Sequence, residues 1–119
     1  VSPVTRARLT GIAISPTPAA FAPLFFAGRL EEAVLTANDL GFGCVELNVR
    51  DPATISAPDV RALVDPVGLA VSAIATGQSC LVDGLCLAAV DDVTRASAVE
   101  RFIGNVRLAA ELGAAVILG

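Results

Sequence analysis

A three-part unit recurs along this chain and limits what it can fold into. Leu40-Gly41 precedes Val45-Glu46-Leu47, and Leu112-Gly113 precedes Val116-Ile117-Leu118; Val67-Gly68 before Val71 is a looser copy. In each, a helix ends, a glycine takes the left-handed position after it, and an apolar strand starts. Helix-to-strand connections are therefore short and alike. The strand-to-helix connections, 16–28, 51–55 and 77–92, are longer and share no pattern. Parallel α/β folds carry function on the loops after strand C-termini and stability at the opposite end. The asymmetry places a site at the ends of the first three strands.

Periodicity predicts strands near 9–15, 44–50, 69–76 and 115–118. Leu30, Ala33, Val34, Ala37 and Leu40 mark one face of a first helix over 29–40, with Glu31 and Glu32 favoured in its first turn. Ser56 and Asp59 have capping-box spacing around Pro58 and open a short second helix that runs to about Asp65, stopped by Pro66 and Gly68. Asp91 or Asp92 caps the longest helix, which ends at Gly113 with Val99, Phe102, Ile103, Val106, Ala109 and Ala110 as its expected buried stripe. In the third strand Val71, Ala73 and Ala75 are expected on one side, and Ser72, Thr76 and then Gln78 on the other. The fold class is α/β, a parallel βαβαβαβ unit in a single domain, since 119 residues support one modest core.

The second strand is the informative one. Val45, Leu47 and Val49 alternate with Cys44, Glu46, Asn48 and Arg50, and Pro52 has no N–H for a ladder. Burying a carboxylate, an amide and a guanidinium without partners is costly. Their face is expected to look into a wet or substrate-filled space. With Ser15, Thr76 and Gln78 these residues form a rim cluster suited to a polyhydroxylated or phosphorylated small molecule. Glu46 has two readings, a carrier of protons or acceptor of sugar hydroxyls, and a structural partner of Arg50 or another arginine. Arg50 likewise is read as a phosphate or carboxylate clamp or as the partner of Asp51 or Asp83. Phe21, Leu24, Phe25 and Phe26 either cover the end of the core or wall a pocket.

Composition removes several classes of function. The net charge of −4 and pI near 4.5 argue against nucleic acid. Histidine is absent, which removes the commonest general base, nucleophile partner and metal ligand. The eight basic residues are all arginine, so no Walker lysine exists, and Pro16-Thr17-Pro18 replaces the glycine turn of a dinucleotide site. Gly77-Gln78-Ser79-Cys80-Leu81 begins like a nucleophile elbow but lacks the closing glycine and a base, so Ser79 is read as a loop residue. Cys44, Cys80 and Cys86 have no disulfide-framework or zinc spacing and are expected as reduced thiols in a cytoplasmic protein. Arg6 and Arg8 ahead of an apolar run faintly suggest a signal peptide, but Pro16, Pro18 and Pro23 interrupt it. No membrane span is expected, because Arg29, Glu31 and Glu32 cut the apolar length. The first residue, Val1, suggests a processed chain or a piece of one.

The segments Gly41-Phe-Gly-Cys-Val-Glu-Leu47 with Arg50-Asp-Pro52, Gly68-Leu-Ala-Val-Ser-Ala-Ile-Ala-Thr-Gly-Gln78, Asp83-Gly-Leu85 and Ala109-Ala-Glu-Leu-Gly-Ala-Ala-Val-Ile-Leu-Gly119 together resemble the first half of the sugar phosphate isomerase/epimerase family, of the xylose-isomerase-like TIM-barrel superfamily. The resemblance spans 11–119 and implies the first half of a (β/α)8 barrel. It implies metal-assisted proton transfer through an enediolate on a ketose or related hydroxy-carbonyl compound. A divalent cation (Mn²⁺, Mg²⁺, Co²⁺ or Zn²⁺) would be held by residues of the second half, so no metal ligand is expected in this chain. Glu46, and less closely Arg50, Thr76 and Gln78, match family positions at the substrate mouth. A barrel needs eight strands and about 250 residues, so the unit is expected to be inactive alone, with open sheet edges that offer a route to self-association. The other reading is a doubly wound module that binds a sugar or phosphate without catalysis.

Overall fold

The computed structural model describes residues 10–19 and 24–119. Arg6, Arg8, Leu9 and Phe21, on which parts of the sequence reading rested, lie outside them, as do Val1 and Pro23. Four strands alternate with helices: β1 (Gly11–Ile14), α1 (Leu30–Asp39), β2 (Cys44–Asn48), α2 (Ala57–Val64), β3 (Ala70–Ala75), α3 (Gly77–Leu81), α4 (Asp92–Leu112) and β4 (Ala115–Ile117). All neighbouring strands are parallel and stand in the order β1-β2-β3-β4. The chain is thus an α/β unit of βαβ crossovers.

The ends of the helices have local causes. Ser56 accepts from the Asp59 amide at the start of α2, and Asp91 from the Thr94 amide at the start of α4. Glycines stop them: Gly41, Gly68 and Gly113 all have positive φ, a conformation that costs other residues about 1–2 kcal/mol. Pro66 does not end α2 abruptly, because a 3₁₀ turn, Asp65–Val67, carries the chain on to Gly68. Arg61 of α2 reaches across to the Glu111 carbonyl near the end of α4, donating at 2.6 and 3.1 Å. A cation there satisfies an orphan carbonyl and complements the helix dipole.

One core lies between the helices and one face of the sheet. Ala33, Val34 and Ala37 of α1, Val60 and Val64 of α2, and Leu108, Ala109 and Leu112 of α4 pack on Ile14, Val45, Leu47, Val71 and Ile74. The pairing of Val71 with Val45 and of Ile74 with Leu47 requires one extra residue in β3. That residue is Ser72, whose hydroxyl donates to the Val45 carbonyl at 3.2 Å. Such a bulge reverses the parity of a strand beyond it. Ala73 and Ala75 therefore stand opposite Glu46 and Asn48, on the face away from the helices, rather than beside Val71 as simple alternation predicts.

The stripe expected for α4 is also corrected. Its buried residues are Ala98, Asn105, Leu108, Ala109 and Leu112, while Val99 and Val106 are 43% and 44% exposed. Ala109 of the expected stripe is buried and Phe102 and Ile103 are half-buried. Apolar side chains occur on more than one side of this helix, however, and the buried stripe includes Asn105, so pattern alone placed the stripe only in part. Phe26 packs against the core with the Arg29 guanidinium 5.1 Å from its ring, whereas Phe25 is exposed. Phe25 makes a parallel bridge with Ile14 on β1, so the outer edge of that strand is partly occupied.

Candidate functional site

Among the described residues one face of the sheet carries no helix, and small residues around one carboxylate line it. Glu46 has Ala13 of β1 and Ala73 of β3 as its register partners. Next to them, Cys44 lies over Gly11, where an added Cβ would come within 2.7 Å of the Cys44 sulfur. Among the described residues no ion pair or side-chain hydrogen bond engages the Glu46 carboxylate. Two residues on, the Asn48 amide nitrogen is buried without a partner. Residues i and i+2 of a strand share a face and lie within about 7 Å. A free acceptor and an unsatisfied donor thus stand side by side, an arrangement that suits a hydroxyl or carbonyl of a ligand.

The other residues predicted for the rim have protein partners. Ser15 is fully buried and its hydroxyl donates to the Thr17 carbonyl at 2.7 Å. Thr76 donates to the Ile117 carbonyl at 3.0 Å and accepts from the Gly119 amide at 3.1 Å, which fastens β4 to β3. Gln78 is buried and its amide donates to the Asn48 carbonyl at 3.4 Å. These contacts fix the loop starts after β1 and β3. Ser79 lies in the short helix α3 rather than in an open loop, and its hydroxyl donates to the Arg50 carbonyl.

Of the two readings for Arg50, the geometry selects the ion pair with Asp83. Arg50 donates to both carboxylate oxygens, through Nε at 3.0 and 3.1 Å and through Nη2 at 2.5 Å. Arg101 of α4 donates to the second Asp83 oxygen at 2.9 Å and to the Arg50 carbonyl at 2.9 Å, and lies 3.7 Å from Asp51. Arg101 carried no signal in the sequence, where it reads as one more polar helix residue. The cluster borders a cleft of about 430 Å³ that Thr17 and Thr54 also line. Glu46 does not line that cleft, so the polar residues form two neighbouring groups, one on the sheet face and one at the rim.

Hydrogen bonds from Arg50 and then Arg101 hold the Asp83 carboxyl down to about 2, and the same contact raises Arg50. A carboxylate whose folded pKa lies below its usual 3.8 stabilises the fold above that value and loses this contribution as pH falls toward 2. Asp83→Asn is therefore expected to be less stable than the parent at neutral pH. The difference should shrink between pH 4 and pH 2, as read from urea unfolding midpoints. A gap that stays constant to pH 2 would show that the ion pairs contribute nothing.

Cys80 and Cys86 are bonded to each other, with Cα atoms 4.5 Å apart, which corrects the expectation of reduced thiols; only Cys44 is free, and it is buried. The reason is local: α3 ends at Leu81, and Gly84, at φ 69°, turns the chain back on itself. Among the described residues no three Cys, Asp or Glu side chains converge as a metal site, and no helix is long and apolar enough to cross a membrane.

No protein-family model matches this sequence, and no curated protein matches it.

Proposed function

We propose that this chain is the first half of a (β/α)8 barrel of the sugar phosphate isomerase/epimerase kind, contributing part of the substrate wall for a ketose or ketose phosphate. The observation that carries the reading is the helix-free face of four parallel strands in sequential order, with Glu46 and the unpaired Asn48 amide upon it. Sequential order with helices on one face suits a barrel segment. A doubly wound sheet places helices on both faces and reverses its strand order at a switch point. The exposed stripe of Val99 and Val106 on α4, with Ile103 between them, and the exposed Ile117 and Leu118 beside β4 suit the docking of further βα units.

The donor set of this chain does not fit a metal ion. Glu46 stands among alanines, and Asp51 and Asp83 face guanidiniums. The proton-transfer groups and the cation would come from the complementary half. What these residues offer is orientation: Glu46 accepts from a substrate hydroxyl and Asn48 donates to a neighbouring oxygen.

Titration of the purified chain with a ketose phosphate, followed by amide NMR, tests this. Shifts are expected at Glu46, Asn48 and Arg50, with no turnover when a divalent metal is added. Turnover by the chain alone, or shifts confined to other surfaces, would overturn the reading.

A further inference from the structure

We propose that the Cys80–Cys86 bridge is a redox latch on the rim, and that opening it turns the Arg50–Asp83–Arg101 cluster into a binding site for the phosphoryl group of a small molecule. The inference rests on the reading of the rim as a small-molecule site and adds the ligand chemistry and its control.

Asp83 sits midway in the ring that the bridge closes, three residues from Cys80 and three from Cys86. Its carboxylate takes the forked contact through which arginines hold phosphate. It acts as a built-in anion. While it is seated, the two guanidiniums face two carboxylates, Asp51 and Asp83, and the cluster is neutral. With Asp83 swung away, one positive charge remains beside the cleft that Thr17 and Thr54 line. Without Asp83, the Arg50 main chain and the Arg101 guanidinium stay tied to each other. Arg101 still donates to the Arg50 carbonyl, and Ser79 donates to that same carbonyl.

A tethered carboxylate competes with an outside anion at an effective concentration set by the stiffness of its tether. Here the tether is the bridged ring. Besides the bridge, nearby main-chain bonds hold it, from Val82 to Gln78, Gly84 to Cys80, Leu85 to Ser79 and Cys86 to Gly84. Both cysteines are only half-buried and so are within reach of a dithiol. Such a reductant gives two electrons and two protons: the sulfur–sulfur bond breaks to two thiols, and the dithiol closes a disulfide of its own. The loosened segment lowers the effective concentration of Asp83 and leaves both guanidiniums open to phosphate.

The test is titration of inorganic phosphate into the oxidised protein and into protein reduced with dithiothreitol, following the Nε–H signals of Arg50 and Arg101. Reduction is expected to tighten binding by about tenfold or more. The double variant Cys80→Ser/Cys86→Ser should match the reduced protein, and Asp83→Asn should bind equally well in both redox states. Equal affinity of the oxidised and reduced parent, with unchanged amide spectra, overturns the latch while leaving the site intact if Asp83→Asn binds. Failure of Asp83→Asn to bind phosphate in either state overturns the site itself. Binding of phosphate without any binding of a ketose phosphate counts against the function proposed above and leaves the latch standing.

Discussion

Leu47→Ala should lower the unfolding free energy by about 2–5 kcal/mol, because it empties the centre of the layer that joins sheet and helices. Leu47 is fully buried on β2, pairs in register with Ile14 and Ile74, and belongs to the cluster that α1, α2 and α4 close from the other side. The control is Leu40→Ala at the end of α1. Leu40 is 69% exposed, so its loss should cost no more than about 0.5 kcal/mol. Urea midpoints of the two variants, measured side by side, decide the matter. Equal costs would mean that the helices do not pack on this face of the sheet.

The second large effect is expected on binding. Glu46→Gln keeps the shape of the side chain and removes its charge. If the carboxylate accepts from a sugar hydroxyl, the variant should bind a ketose phosphate about ten- to one-hundred-fold more weakly, the range expected for hydrogen bonds to a charged group. Stability should change little, since no partner among the described residues is lost. Calorimetric titration of parent and variant with one ligand provides the measurement. An unchanged dissociation constant would leave Glu46 without a part in recognition, whatever the rim does.

Much of the architecture was legible because it is written in local chemistry. Gly41, Gly68 and Gly113 mark helix ends by conformational need, and Ser56 and Asp91 mark helix starts by hydrogen-bonding need. The strict alternation of β2 placed Glu46 opposite the core, as its register confirms. What escaped the sequence depends on partners distant in the chain. Ser72 becomes a bulge only because Ile74 pairs with Leu47, so β3 alone gives no reason to shift parity. Asn105 enters the buried face of α4 while Val99 and Val106 stay out, an order that no hydrophobicity pattern favours. The bond between Cys80 and Cys86 needs the short α3 and the turn at Gly84, neither of which their spacing announces.

At the site, residue types were easier to read than their engagements. Ser15, Thr76 and Gln78 carry the polar groups expected of a rim, yet main-chain atoms claim them. Loop starts between parallel strands have many orphan carbonyls, and hydroxyl and amide side chains satisfy them at close range. Arg101 enters from a helix turn far along the chain, so its meeting with Asp83 waits on the tertiary fold.

The bridge from Phe25 to Ile14 gives the sheet two unequal borders. One margin already has a main-chain neighbour; the other, at β4, has exposed Ile117 and Leu118. Stacking of many copies into a fibre needs both margins receptive. With one flank partly taken, crowding should favour pairs over threads.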